Sequence, residues 1–436
     1  MSRTGRVVRG ATAAMGMLAA TLAFAGTAGA QTYAIQGGTI HTLAGSTFVG
    51  TVVVRDGRIV EVGPNVQAPA GAEIVDATGQ HVYPGMFDAV SQVGLTEVGA
   101  VDVTNDAAEQ GDFNPHLQAA TAIHPATEHI PVARANGITH TMSAPQGGII
   151  AGQASLVGLD GWTVEEMDIE PGAAMVINYP SMAARRGFGG FGFGAQRSFS
   201  DIEKQYRDQV AQLDEWMEAG RMYTKAIQAG EADRNLQLEA MARVVDREQP
   251  VLLSADGERD IRNAVEWAER QKIRYVLTGG GEGWKIADWL AEHDVQMILG
   301  PSQAMPAGPD EEYDEAYANA GKLYAAGVKI AFATFNSSDS RTLPYEAAMT
   351  VPFGLPEEAA LEAVMKNGAE MLGLGDRMGT IEPGKIANLI VTDGNPLEIQ
   401  TQILDLFILG RQVSTDNKHK SLYDKYRARP KDRVIS

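Results

Sequence analysis

The stretch YPGMFDAVSQVGLTE, residues 83–97, separates two kinds of pattern in this chain. Upstream, the residues read as short strands: TYAIQGGTIHT, then STFVGTVVVRDGRIVEVGP, then AEIVDATGQHVYP. Val52, Val53 and Val54 run into Asp56-Gly57, a tight hairpin signal, and Ile59, Val60 and Val62 form the return strand. Downstream, over residues 83–378, apolar runs such as AAMVIN, PVLLSA, RYVLTGG, VQMILGP and VKIAFAT alternate with helical patterns such as RDIRNAVEWAERQ and GWKIADWLAEHD. Alternating strand and helix predicts an α/β fold with a parallel sheet, and this length suits a closed (β/α)8 barrel of the TIM type. No Gly-rich phosphate loop follows the first strand, which speaks against a doubly wound open sheet.

A piece matching the upstream module recurs near the other end. In GTIEPGKIANLIVTDGNPLE, Pro383-Gly384 turns into the strand IANLIV and Asp393-Gly394 turns out of it, and LDLFILGRQV follows as a further strand. Residues 31–82 and 379–413 are therefore expected to assemble into one small β-sandwich. Within the barrel region, residues 182–201 are Gly- and Phe-rich and read as a long loop, either a lid over the barrel mouth or an insertion without order. Residues 414–436 form a charged, peripheral tail.

Residues 1–30 have the anatomy of a secretory signal peptide: Arg3, Arg6 and Arg9 at the head, a short apolar run, and Ala28-Gly29-Ala30 as the cleavage signal. Export to the periplasm or the exterior follows as an expectation. The apolar run is short and Gly-interrupted, which argues against a membrane anchor, and no membrane association is expected after cleavage. Cysteine is absent, so neither disulfides nor thiolate chemistry are available. The formal charge of −19 repels phosphate backbones and anionic lipids, so nucleic acid is a poor partner for this surface.

Taken together, the β-module split between the chain ends, the VRDGRIVEVG hairpin, PGMFDA at the first barrel strand and GTIEPGKIANLIV at the close resemble the amidohydrolase superfamily. Within it, the nearest resemblance is to the imidazolonepropionase-like secreted members. The resemblance implies a barrel with one or two divalent metals such as zinc at its C-terminal mouth, hydrolysing C–N bonds of non-peptide or cyclic amides, or C–O bonds. It also implies a ligand set: H-x-H on strand one, often a carboxylated lysine on strand four, single histidines on strands five and six, and an aspartate on strand eight. Residues i and i+2 of a strand share a face, so H-x-H aims two imidazoles at one ion.

This sequence departs from that set throughout. The strand-one pair falls on Val90 and Gln92, and AAMVIN contains no lysine. Strand five offers Ser254 or Asp256, and strand six offers Gly279 ahead of Glu282. Strand eight has Phe335 or Asn336 at the aspartate position, with Asp339 further along. Val90, Gln92, Ser254, Gly279 and Phe335 are thus the vestigial metal positions, and no metal cofactor is expected. Gln92, Ser254, Asp256, Glu282, Asn336 and Asp339 remain as pocket candidates.

Other chemistry was open to the same residues. HPATEH carries His124, Glu128 and His129, but its spacing and Pro125 do not suit two ligands on one helix face. His116 and His124 remain candidates for ligand contact near the mouth. Asp256, Glu258, Glu282 and Asp339 follow barrel strands, where catalytic groups sit, and where helix N-capping acids sit too. A carboxylate base supplies roughly 10²–10⁴-fold, whereas a metal that lowers the pKa of water by roughly 8–9 units changes its ionisation by about 11–12 kcal/mol. One carboxylate therefore suits only an activated substrate. Ser254 lies in no G-x-S-x-G turn and reads as a mouth hydroxyl. Three readings follow: a degenerate family member acting as a binding or partner subunit, forming a homo-oligomer or pairing with an intact relative; an active hydrolase with an unorthodox site; and a metal-independent binder of a small molecule.

Overall fold

The computed structural model describes residues 31–182, 198–306 and 311–429. The expected signal peptide and most of the Gly-rich segment lie outside the described residues. After Asp76, the first part of the chain has already laid down four strands: β1 (Thr32–Ile40), β2 (Phe48–Arg55), β3 (Arg58–Gly63) and β4 (Glu73–Asp76). β5 (His81–Pro84) completes this part. The Asp56-Gly57 hairpin forms as read, with both residues at positive φ, 52° and 79°.

The barrel follows: β6 (Met86–Ser91), β7 (Ile138–Ser143), β8 (Ile150–Gly158), β9 (Asp168–Asn178), β10 (Val251–Ala255), β11 (Tyr275–Gly279), β12 (Gln296–Leu299) and β13 (Lys329–Phe332). The chain then returns to the first sheet as β14 (Leu389–Thr392), β15 (Ile403–Ile408) and β16 (Arg411–Val413).

Each set forms one eight-stranded sheet. The terminal sheet runs β16-β15-β14-β5-β1-β2-β3, with β4 beside β1, so the chain ends meet where β5 pairs antiparallel with β14. Its two parts form one hydrogen-bonded sheet around a core that includes Tyr33, Ile35, Val52, Val54, Leu389 and Phe407.

The barrel sheet runs in chain order from β6 to β13. From β9 to β13 the strands are parallel, as the strand–helix alternation predicts. Between β7 and β9 the alternation fails: β8 is antiparallel to both neighbours. A meander of hairpins needs no crossover helix. The long segment between β6 and β7 lies against it, with Phe113 bridging to Ile150 and Gln118 to Gln153. The ITHTMS and IAGQASLVG strands are rich in small and polar residues, which hid them from a search for apolar runs.

The barrel closes without a ladder. The Phe335 N–H donates to the Val90 carbonyl at 2.9 Å, and the carboxylate of Asp88 takes up Thr334. Inside, small side chains dominate the wall: Ala89, Ala144, Ala151, Ala154, Ala174, Ala331 and Ala333 pack with Phe87, Leu252, Val276 and Ile298. Outside, Leu253, Leu277, Trp267 and Leu323 pack barrel to helices. The helix over Phe199–Ala229 begins inside the expected loop, because the Ser198 side chain accepts the Asp201 N–H and caps it. In the expected tail, Lys418–Arg427 is helical with no buried residue.

The Pro-Gly of the opening stretch has a steric reason. A Cβ built on Gly85 would overlap the Cγ2 and Oγ1 atoms of Thr139 on β7, so β6 enters the barrel at a distance only glycine allows.

Candidate functional site

The C-terminal ends of the barrel strands gather the residues singled out from the sequence. On β6 the pairing register with β7 shifts between Asp88 and Ser91, a bulge that places Ala89 and Val90 together in the barrel's inner cluster. β6 ends at Ser91, and Gln92 opens a turn in which its carbonyl accepts the Leu95 N–H at 2.9 Å. The shared-face rule for residues 90 and 92 thus does not operate here. The Gln92 amide donates to Gln146 Oε1 at 2.7 Å.

On β10, Leu252 belongs to the inner cluster, which puts Ser254 on the inner face by strand alternation. Asp256, just past the strand, is open to water yet crowded by protein on its other sides. Burial raises its carboxyl pKa, the Gly281 N–H works against that, and the charge of Asp260 adds to it. The strand-six assignment shifts by one. Val276 faces inward, so Thr278 occupies the inner position, while Gly279, at φ 92°, sits under the Asp256 carboxylate where a side chain would collide.

Glu282 is committed elsewhere. Its Oε2 accepts the Glu258 N–H at 2.7 Å, at the start of the helix over Glu258–Gln271, and its Oε1 accepts Lys285 Nζ at 2.8 Å. Burial works upward on this carboxyl, but the Lys285 and Glu258 donors outweigh it and hold it below the usual range. Glu258 itself opens that helix and pairs with Arg262 at 3.5 Å. Phe335 takes φ 55° and lays its ring against the inner cluster. Asn336 turns its side chain back to accept the Ser338 N–H at 2.8 Å, and the Asp339 carbonyl accepts the Thr342 N–H at 2.7 Å.

These donors do not fit a divalent ion. Val90 and Phe335 offer hydrocarbon, Gln92 an amide already bonded, Ser254 a neutral hydroxyl and Gly279 nothing. Among the described residues, no group of three or more His, Asp or Glu side chains is gathered so as to hold a metal. His124 is exposed and His129 bonds the Glu97 carbonyl at 2.9 Å, so HPATEH forms no site. His116 is half-buried, and its Nδ1 finds no partner among the described residues.

Two polar residues of the barrel wall were not singled out as functional. Asp88 is fully buried at the closing seam, and burial pushes its carboxyl up to about 7 against the bonds from Thr334, Ser340 and Ser91. His140 stacks on Phe87 with ring centroids 4.7 Å apart, and burial pushes its pKa down to about 3. For Asp88 the signal was present: an acid inside the otherwise apolar run VYPGMFDAV. His140 carried no such signal.

Barrel, composite terminal sheet and mouth together define an amidohydrolase fold. Residues 171–417 match the Amidohydrolase family, and the chain belongs to it. The amidohydrolase tasK of Hapsidospora irregularis is 24% identical over 406 residues, covering 83% of this chain and 40% of that protein. Imidazolonepropionase of Porphyromonas gingivalis is 34% identical over 106 residues, 23% of this chain and 24% of that enzyme. The chain thus spans less than half the length of these curated relatives in the matched regions. Among solved structures, an amidohydrolase from Thermotoga maritima MSB8 superposes with a TM-score of 0.75 at 26% identity, covering 88% of this chain and 99% of that one. Molinate hydrolase, at 17% identity and a TM-score of 0.54 over 93% of this chain and 99% of that one, shares the fold.

Proposed function

We propose that this chain is an exported amidohydrolase-family protein whose barrel mouth binds a small molecule or serves a partner subunit instead of hydrolysing a C–N bond through a metal. By family and fold it stands among the amidohydrolase hydrolases. The observation that carries the proposal is the scarcity of ligating donors at the mouth: Val90 lies in the barrel's inner hydrocarbon cluster, Phe335 packs against it, and among the described residues no three His, Asp or Glu side chains are gathered so as to hold a metal. Hydrocarbon side chains with a few polar groups beside them suit ligand binding. The Arg-headed, apolar residues 1–30 support export. A homo-oligomer, or a pair with an intact relative, is the assembly this role calls for.

The test is hydrolysis of a panel of cyclic amides and dipeptides by the full chain, with and without added zinc or manganese. Absence of turnover in every condition supports the proposal. Turnover that rises with metal and is abolished by chelator overturns it.

Asp256 favours a second reading, metal-independent hydrolysis of an activated C–N bond. Its carboxyl is raised by burial and by Asp260, and it stays open to water. A carboxylate whose pKa is raised is a stronger base toward a water proton. Metal-independent turnover that disappears in Asp256→Asn would establish this reading; turnover unchanged in Asp256→Asn would eliminate it.

A further inference from the structure

We infer that a cleft between the outside of the barrel and the last helix of the chain binds a phosphate group through Arg341, Tyr345, His419 and Lys420. The cleft encloses about 250 Å³, and Val132 and Ile403 line it beside these polar residues. Distant parts of the chain meet there. Val132 belongs to the helix over His129–Arg134, Arg341 and Tyr345 follow β13, and His419 and Lys420 open the helix over Lys418–Arg427. The Asn136 amide donates to the Arg341 carbonyl at 2.8 Å and ties the second of these to the first. The Asn417 side chain accepts the His419 and Lys420 N–H groups at 2.9 and 3.1 Å, which fixes the start of the last helix.

The donors of this cleft are uncommitted. Arg341 is half-buried, yet its guanidinium pairs with no carboxylate and makes no hydrogen bond among the described residues. A guanidinium so placed has lost part of its hydration without a compensating partner. The side chains of Tyr345 and His419 also lack a hydrogen-bond partner among the described residues. Lys420 Nζ donates once, to the Thr415 hydroxyl at 2.9 Å, which leaves two of its protons free. Among the described residues no Asp or Glu lines the cleft, in a chain with 55 acidic residues against 36 Lys and Arg.

Arginine presents its N–H groups as a planar fork that matches phosphate oxygens, and lysine adds a point charge. A phosphate monoester carries a charge of about −1.5 to −2 near neutral pH and offers three acceptor oxygens, enough for Arg341, Lys420 and the Tyr345 hydroxyl together. A carboxylate offers two oxygens and a single charge. The first turn of the last helix, its positive end, borders the same cleft and adds to the attraction. That helix buries no residue, so core packing does not account for its place, whereas an anion held between its first turn and Arg341 does. The formal charge of −19 repels anions at long range, but physiological salt screens that field beyond about 8 Å, and recognition rests on the local groups. A cleft smaller than the roughly 300–1,000 Å³ of drug-sized sites suits a small ligand, with Val132 and Ile403 beside the donors to cover the organic part of an ester. No residue assigned to the barrel mouth lines this cleft, and the site is independent of the function proposed for the mouth.

The experiment is calorimetric titration of the full chain with sodium phosphate and with phenyl phosphate, at an ionic strength held constant with sodium chloride. Saturable binding of one phosphate group per chain is the expected result, weakened at least tenfold by Arg341→Gln or Lys420→Gln. Lys425→Gln, on the same helix but outside the cleft, should leave it unchanged. Phenyl phosphate bound more tightly than the free ion assigns the cleft to an organic phosphate, and equal affinities assign it to the inorganic ion; both support the site. Absence of saturable binding by either probe, or affinity unchanged in both Arg341→Gln and Lys420→Gln, overturns it. Because a variant can lose its fold, the unsubstituted chain is also treated with diethyl pyrocarbonate and its histidines are followed by mass spectrometry. Saturating phosphate should slow modification of His419 at least threefold and leave that of the exposed His124 unchanged. Modification of His419 at the same rate with and without phosphate overturns the site.

Discussion

The carboxylate of Asp88 holds Thr334 twice, accepting its backbone N–H at 3.0 Å and its hydroxyl at 2.6 Å, across the seam where β6 meets the segment after β13. The two residues are 246 positions apart, and the contact joins the first barrel strand to the last. It also sets the path of the chain at Phe335, whose N–H goes to the Val90 carbonyl. A buried carboxylate on the first barrel strand therefore works here as a structural clasp.

Asp88 makes stability depend on pH. Its folded-state pKa, about 7, lies above the ordinary carboxyl value, so the folded chain holds this proton more tightly than the unfolded chain. The contribution is fully present below about pH 4 and is lost as pH rises through about 7. Asp88→Asn is expected to flatten this part of the profile. Its amide can donate to the Thr334 hydroxyl, which already reaches the Asn336 carbonyl at 3.1 Å. Denaturant midpoints from pH 4 to 8 check this, and an identical slope in both proteins would show that other groups set the dependence.

Gly85→Ala should destabilise the chain by about 1–3 kcal/mol, the usual cost of overpacking. The clash falls on Thr139, whose hydroxyl lies 2.7 Å from His140 Nδ1 and cannot turn away without breaking that contact. Adding Thr139→Ala should recover part of the loss, because it removes the two nearest atoms. Chemical denaturation of both variants decides it, and a double variant no better than the single one would place the strain elsewhere.

At Phe335 the backbone and the side chain pull in opposite directions. Truncation to Ala removes a half-buried ring at a cost of about 1–3 kcal/mol. A φ of 55° strains every residue but glycine. Phe335→Gly should therefore be at least as stable as Phe335→Ala, against the usual order. Thermal unfolding of the two compares them directly; a glycine variant clearly below the alanine one would mean the loop relaxes once the ring is gone.

Val90→His with Gln92→His should not create tight zinc binding. Val90 and Gln92 straddle the end of β6, and Ser254, Thr278 and Phe335 supply no further imidazole or carboxylate. Micromolar zinc affinity in that double variant would reveal ligands at the mouth other than those described.

The sequence by itself determined the strand content of much of the barrel. AAMVIN, PVLLSA, RYVLTGG, VQMILGP and VKIAFAT all overlap barrel strands, because a strand buried on both faces must be apolar along its length. It also determined the Asp56-Gly57 hairpin, since turn chemistry is local. Some residue chemistry at the mouth was legible too: the side chains of Val90 and Phe335 are hydrocarbon wherever they point. The tertiary structure alone decided the rest. The reversal of β8, the bulge after Asp88, the one-residue shift from Gly279 to Thr278 and the Asp88–Thr334 clasp depend on which strands lie side by side. Strand register, and contacts between residues tens to hundreds of positions apart, arise from packing across the whole molecule and leave little local pattern to read.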